Sequence, residues 1–481
     1  MRRIFIMLEK LAPERVFHYF ESICAIPHGS GNTDKIRAFC TDFAENHGLV
    51  HSYDKHNNVL IRKNASKGYE HHPTVVLQGH LDMVCEKTVE SSIDFNKDGL
   101  KLKIDGDNLS ADGTTLGADD GIAVAMILAI LEDDSLAHPP LEAVFTTDEE
   151  TGMYGAWGFD TSALSGHTFL NLDSGEEGVL TVGCAGGAKV DVILPLTFQK
   201  NKKPCVAIAL TGLLGGHSGI MINQGRQNAD KMLGAFLASL PSFELVSTSG
   251  GFKDNVIPNA AECVIATSLS VDEISARAAD FVRKNRLDTD SGLSFHVSAA
   301  PVSSTCFDRV STDKTIEFLT TVPFGVQAMS KHMEGLVQSS LNLGVIRTDS
   351  DGDKKSFHAV LSVRSSVAAE KQQMLDRLEA LAGSIGASFS VHGHYPAWEY
   401  RENSRLRDIM VAVYEKKYGK KPVVETVHAG LECGLFGEKI KDFDAVSMGP
   451  DMWDIHTANE HLSISSTERT YHYICDVLKE L

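Results

Sequence analysis

No stretch of this 481-residue sequence approaches the ~20 consecutive apolar residues that a membrane-spanning helix needs. The opening run, MRRIFIMLEKLAPERV, has two arginines and a short apolar patch. It meets Glu9 and Lys10 too soon for the apolar core of a secretory signal. Positive charge is also in deficit. Lysine and arginine number 45 against 64 aspartates and glutamates, a formal net charge of −19. Nucleic acid and anionic membrane both select for a net basic face, so neither is an expected partner. Paired cysteines are missing too. The nine cysteines, at 24, 40, 85, 184, 205, 263, 306, 433 and 475, are odd in number, and none has zinc-finger or redox spacing. They read as reduced thiols in a cytoplasmic protein.

What is present is an ordinary globular composition, 43% hydrophobic and 23% charged, in a chain too long for one core. Residues 13–48 carry apolar residues at helical spacing (Phe17, Phe20, Ile23; then Ile36, Phe39, Phe43). Apolar runs such as NNVLIRK, PTVVLQGH, LEAVFTTDEE and TFLNLDS then alternate with helical patterns, among them GIAVAMILAILEDD. That order predicts an α/β domain with a largely parallel central sheet. The texture changes near VGCAGGAKVDVILP. From there to about residue 396 the patterns fit an α+β domain built from two βαββαβ sets, the second lacking a clear first strand. A helix over 404–418 reads as a return to the first domain. The expected organisation is a discontinuous catalytic domain, 1–186 and 398–481, interrupted by a lid domain over 187–397.

Three predicted strands of the first domain run out into candidate ligands: His80 and Asp82, then Glu149 and Glu150, then Asp173. Sites in open α/β sheets form at the carboxyl ends of strands. A further pair, Asp119 and Asp120, opens the predicted buried helix. Brought to one rim, these acids would repel one another severely unless a cation joined them. Imidazole with carboxylate suits zinc, and also manganese or cobalt. Each piece alone has an ordinary reading. Asp119 is a plausible helix cap, residues 148–150 a solvated loop, Asp173 a turn residue and His80 a half-buried histidine. Their recurrence at successive strand ends favours a metal centre. A two-carboxylate glycosidase is the weaker alternative, because it leaves His80, Asp119 and Asp173 unexplained.

The segments GHLDMV, TTLGADDGIAVA, TDEETGMYGA, NLDSGEEG, GCAGG, GGHSG, HAGLECGLF and HTANE resemble those of the aminoacyl-histidine dipeptidases, also called Xaa-His or cytosol non-specific dipeptidases. These group with carnosinases and aminoacylases among the co-catalytic zinc peptidases. HAGLECG and GCAGG are particular to the subgroup, whereas GHxDxV marks only the superfamily. The resemblance implies two divalent ions per chain, zinc with cobalt or manganese as alternatives. His80 and Asp173 would hold one, Glu150 and His456 the other, and Asp119 would bridge. Asp82 would hydrogen-bond the second ring nitrogen of His80, and Glu149 would be the general base. Strand alternation is expected to turn Glu149 and Glu150 to opposite faces. Two divalent cations are balanced by three carboxylates and a bridging hydroxide, the neutrality a partly buried site requires.

The activity implied is hydrolysis of dipeptides, Xaa-His dipeptides such as carnosine among them. A bridging hydroxide would attack, and Glu149 would carry its proton to the leaving amine. In the lid, His217 and Asn255 would bind the oxyanion, and Arg364 would grip the substrate carboxylate. Gly434 and Glu432 would line the pocket. Ordinary readings compete here as well: GGHSG as a glycine-rich turn, and Arg364 as a surface strand residue. The sequence departs from the family pattern at Cys85, at Asp120, and in HTANEHL, where a proline is missing and His461 becomes a rival to His456. The peptide before the Asp120 position tends to be cis in this superfamily. His428, His358, His392 and His394 read as structural or surface residues. Two rivals remain: a small-amide deacylase or broader aminopeptidase on the same centre, and an inactive peptide-binding relative. Glu149 beside all five ligands argues against the second. A homodimer is expected from the resemblance.

Overall fold

The computed structural model describes residues 7–331, 333, 335–351 and 354–481; the start of the apolar opening, residues 1–6, lies outside the described residues. The chain forms two compact units. One comprises the residues up to Gly183 with Tyr400–Thr426 and Leu431–Leu481; the other comprises Cys184–Glu399 with Val427–Gly430. Among the described residues no helix is long and apolar enough to cross a membrane.

The first unit is built on a mixed sheet of eight strands. Its centre is parallel: Leu141–Thr146, Val75–His80, Thr168–Asn171 and Asp444–Ser447 lie side by side in that order. Strands Val75–His80 and Leu141–Thr146 are buried at every residue. A strand covered on both faces has no reason to alternate, which is why these runs read as continuously apolar. Helix Ala118–Glu132 is apolar on every side and buried from Asp120 to Leu131. It packs so closely on the strand Val75–His80 that a Cβ at Gly79 would strike the Asp120 carboxylate and Ala123. The helical pattern over 13–48 is two helices, Glu14–Cys24 and Asp34–Asn46. Pro27, Gly29 and a left-handed Gly31 separate them.

Among the described residues the second unit is built on a sheet of nine strands with helices on it. Its first set runs Cys205–Thr211, helix Ala229–Ala238, Glu244–Gly250, Ala261–Ala266, helix Val271–Asn285 and Ser294–Ala300. The second set has its missing strand after all. Gly186–Pro195 pairs with Lys354–Ser365 and with Ser388–Tyr395, as a first strand should. Read inward from each edge, both halves run fourth, first, third, second. They meet where Ser249 and Gly250 face Arg347 and Ile346. The first set is therefore inserted between the first strand and the first helix, Arg309–Thr321, of the second. Pro258 separates the short strand Val256–Ile257 from Ala261–Ala266, because proline lacks the N–H a ladder needs.

Asp230, at the start of helix Ala229–Ala238, is fully buried with both carboxylate oxygens unpartnered. Its oxygen lies where any side chain on Gly250 would have to go. Burial pushes its pKa well up. The unfolded chain releases this proton above pH ~4 while the folded chain keeps it, so stability falls as pH rises past that point. Asp230→Asn is expected to melt with the parent near pH 4. At pH 8 it should melt above the parent, by about 2–4 °C per kcal/mol relieved; calorimetry across a pH series checks this.

Candidate metal centre

Three adjacent parallel strands end on the same rim of the first unit's sheet. Val75–His80 finishes on His80 itself. Leu141–Thr146 is followed by Asp148, Glu149 and Glu150, and Thr168–Asn171 by Asp173. Asp119 arrives from the start of helix Ala118–Glu132, through a cis peptide to Asp120. His456 comes from the loop between Met452–Trp453 and His461–Ser463.

Among the sets these groups form are two that share Asp119, His80–Asp119–Asp173 and Asp119–Glu150–His456, each with its ligand atoms within 4.8 Å of one another. Asp119 divides its carboxylate between them. Its Oδ1 is 3.0 Å from His80 Nε2, and its Oδ2 is 3.2 Å from His456 Nε2. Asp173 Oδ1 lies 3.9 Å from His80 Nε2, and Glu150 Oε1 lies 3.0 Å from His456 Nε2. Glu150 Oε1 is buried beside that ring. Tetrahedral coordination with bonds of ~2.0–2.1 Å separates neighbouring ligand atoms by about 3.3 Å. The donor set and its spacing therefore fit two divalent cations sharing Asp119. His461 belongs to neither set; it stacks on Trp453 with ring centroids 5.1 Å apart.

The tautomer of His80 suits a ligand. Nδ1 lies 2.9 Å from the main-chain oxygen of Asp82 and must donate to it, which leaves Nε2, facing Asp119, as the nitrogen that would exchange its proton for a cation. The Asp82 carboxylate is farther from the ring, at 3.7 Å. It accepts instead from Ser30 Oγ (2.7 Å) and from the backbone N–H of Glu149 (3.1 Å) and Glu150 (3.4 Å). So the ring is held by a peptide oxygen, and the Asp82 side chain shapes the turn that carries both glutamates. That turn replaces the strand alternation expected at Glu149 and Glu150. The strand ends at Thr146 and Asp148 is left-handed at φ 54°. Glu149 lies with His80 and Glu150 but not with His456.

Crowded acids perturb one another here. Burial raises the Asp173 carboxyl to about 7 against the pull of His80, with Asp119, Glu432 and Glu150 adding to the rise. Glu149 is pushed well up by burial, with Asp173, Glu432 and Glu150 adding to the rise. His456 is raised to about 10 by its bonds to Asp119 and Glu150. Protons on the imidazoles hold the carboxylates together in place of cations. Under this layer lies a polar floor, of which the sequence reading named only Glu432. Glu432 accepts from Gln78 Nε2 (2.6 Å) and Thr146 Oγ1 (2.6 Å), and Asn171 Nδ2 donates to Gln78 Oε1 (2.6 Å). Gln78 and Asn171 stand two residues before His80 and Asp173, the strand period that shares a face. That polar pattern inside apolar strands was the available signal. Gly434 is buried within helix Glu432–Lys439 and offers only backbone, its N–H bonded to Leu431.

His217, Asn255 and Arg364 all lie in the second unit. Gly216–His217 pairs with Val256–Ile257, which sets Asn255 beside the histidine. His217 Nδ1 accepts the backbone N–H groups of Gly219 and Ile220, both at 3.2 Å, so its proton sits on Nε2. Burial and Arg364 lower its pKa, keeping it neutral. Arg364 donates to Tyr395 Oη at 3.1 Å, and its buried Nε has no partner. His428 is half-buried beside it, 2.7 Å from Ser340 Oγ, with a pKa lowered to about 4 by burial and by Arg364. His358 bonds Asp191 at 2.6 Å, while His392 and His394 are exposed.

The model of peptidase family M20/M25/M40 matches residues 76–480, and the chain belongs to that family. It is 34% identical over 485 residues to the cytosol non-specific dipeptidase of Escherichia coli K12, covering 98% of this chain and 99% of that one. The crystal structure of aminoacylhistidine dipeptidase from Vibrio alginolyticus superposes with a TM-score of 0.93 at 33% identity, over 98% of both chains. Aminopeptidase PepT from Bacillus cereus shares the fold at 16% identity, TM-score 0.57, over 98% of this chain and 99% of that one.

Divalent cations should stabilise the chain by relieving this repulsion. At a hundredfold excess over Kd a single site contributes about 2.7 kcal/mol. Adding zinc to chelator-stripped protein is expected to raise the thermal midpoint, and Asp119→Ala to lose most of the rise, because one side chain serves both sets.

Proposed function

We propose that this member of the M20/M25/M40 peptidases hydrolyses dipeptides, Xaa-His dipeptides included, at a dinuclear centre. The observation that carries the reading is the divided carboxylate of Asp119, one oxygen toward each histidine-containing set. His80, Asp119 and Asp173 would hold one cation, and Asp119, Glu150 and His456 the other. Zinc suits these N and O donors, with cobalt or manganese as alternatives. Bound there, the cations supply Lewis acidity to the scissile carbonyl and acidify water.

The rest is the work of side chains. Glu149 stands beside the metal ligands without serving Asp119 or His456. It takes the proton of the attacking water and returns it to the leaving amine. Asp82 keeps Glu149 in place through its backbone N–H. His217, neutral with its proton on Nε2, donates to the developing oxyanion together with Asn255. Arg364, whose buried Nε has no partner, offers its guanidinium to the substrate's C-terminal carboxylate. The length match to a cytosolic dipeptidase of Escherichia coli supports a cytoplasmic location. We read the working form as a homodimer, which sedimentation at working concentration tests.

A panel of β-alanyl-histidine, other dipeptides and acyl amino acids, with and without chelator and with metal analysis, tests the reaction. Glu149→Gln is expected to lower kcat by about 10²–10⁴-fold with metal content unchanged; an unimpaired variant removes Glu149 from its role. Arg364→Met is expected to raise KM for dipeptides by about 10–100-fold. Dipeptide amides should lose far less in that variant.

A further inference from the structure

Glu460 is almost fully buried, yet the mechanism above has no use for it. Its carboxylate accepts four successive backbone N–H groups. Oε2 takes those of Leu116 (2.7 Å) and Gly117 (3.1 Å); Oε1 takes those of Ala118 (2.8 Å) and Asp119 (3.3 Å). These are the amides at the start of helix Ala118–Glu132. Gly117, at the cap position, has no side chain to satisfy them. A negative charge from a distant part of the chain therefore closes the helix start.

The same residue stands at the base of the loop that carries His456. Strands Met452–Trp453 and His461–Ser463 pair with each other, and the second also pairs with Asn108–Ala111. Between them the backbone is left-handed at Asp454 (φ 52°) and at His456 (φ 63°). The His456 side chain is 48% exposed at the tip. Glu460 N–H bonds back to Thr457 O at 3.1 Å, which ties the tip to its base. One carboxylate thus joins the segment holding His456 to the segment holding Asp119, and one of its bonds is to the amide of Asp119 itself.

We propose that Glu460 is a positioning residue for the dinuclear centre: it registers the His456 loop against Asp119, so that the two ligands meet the same cation. The inference rests on the dinuclear reading above. Glutamate suits the role because four N–H donors need two oxygens with two lone pairs each. Glutamine has one acceptor oxygen, and its amide NH2 would confront two of the four donors.

The test is zinc titration of chelator-stripped enzyme by calorimetry, for the parent and for Glu460→Gln, beside apo thermal midpoints and dipeptide kinetics. Glu460→Gln is expected to weaken zinc binding by about 10–100-fold. Its kcat should fall at limiting zinc and recover in excess zinc, with KM within about twofold of the parent. Parental zinc affinity in the variant overturns the proposal, even where the apo protein melts earlier, because that pattern is a purely structural role. Should Glu460→Gln fail to fold, Glu460→Asp keeps the charge and withdraws it by one methylene. Weaker zinc binding is then expected, and parental affinity overturns the proposal. A parent chain that takes up neither zinc, cobalt nor manganese would instead refute the dinuclear reading.

Discussion

Repulsion among carboxylates is the constraint around which the first unit is arranged. Parallel strands deliver their carboxyl ends to one rim, and this chain loads that rim with Asp82, Glu149, Glu150 and Asp173, then adds Asp119 from a helix start. At the separations seen here, like charges away from bulk water cost several kcal/mol per pair at an effective dielectric of about 20. Only compensation makes the arrangement tolerable. Asp82 takes three donors, Glu432 takes two, and Asp119 divides itself between two histidines. The folded protein keeps a concentrated negative site whose natural complement is divalent metal.

Much of this was legible in the sequence for physical reasons. A buried parallel strand reads as an unbroken apolar run, so the residue where the run stops marks the rim. His80, the acids after Thr146, and Asp173 were found that way. Asp119 was read from its place at the start of a buried helix; His456 lies on a loop, where no periodicity points at it, and a family resemblance named it. Less was legible wherever backbone atoms do the work. Asp82 seemed a partner for the His80 ring, but its peptide oxygen has that task and its carboxylate holds a turn. Glu149 and Glu150 seemed to alternate on a strand, yet the strand has ended before them. No side-chain pattern announces where an N–H will point. His428 looked incidental because its neighbours Arg364 and Ser340 are far away in sequence.

Tautomers carry as much meaning as positions. His80 is fixed by a carbonyl at Nδ1, so Nε2 is the nitrogen left to meet a cation. His217 is fixed by two amides, so its Nε2 carries a proton. Backbone geometry thus makes one imidazole an acceptor for a cation and the other a donor, within one chain and without any difference in residue type.

The nesting of one half-sheet inside the other has a consequence for how the chain assembles as it is made. Strand Gly186–Pro195 emerges early, alternating buried and exposed positions as an edge-seeking strand does. Its neighbours, Lys354–Ser365 and Ser388–Tyr395, are synthesised only after the entire inner half. The inner half can close its own ladders meanwhile, since its strands are consecutive. The orphan strand waits with both edges open, a standing invitation to pair with another nascent chain. The interval between those two events is where this protein is most exposed to misassembly.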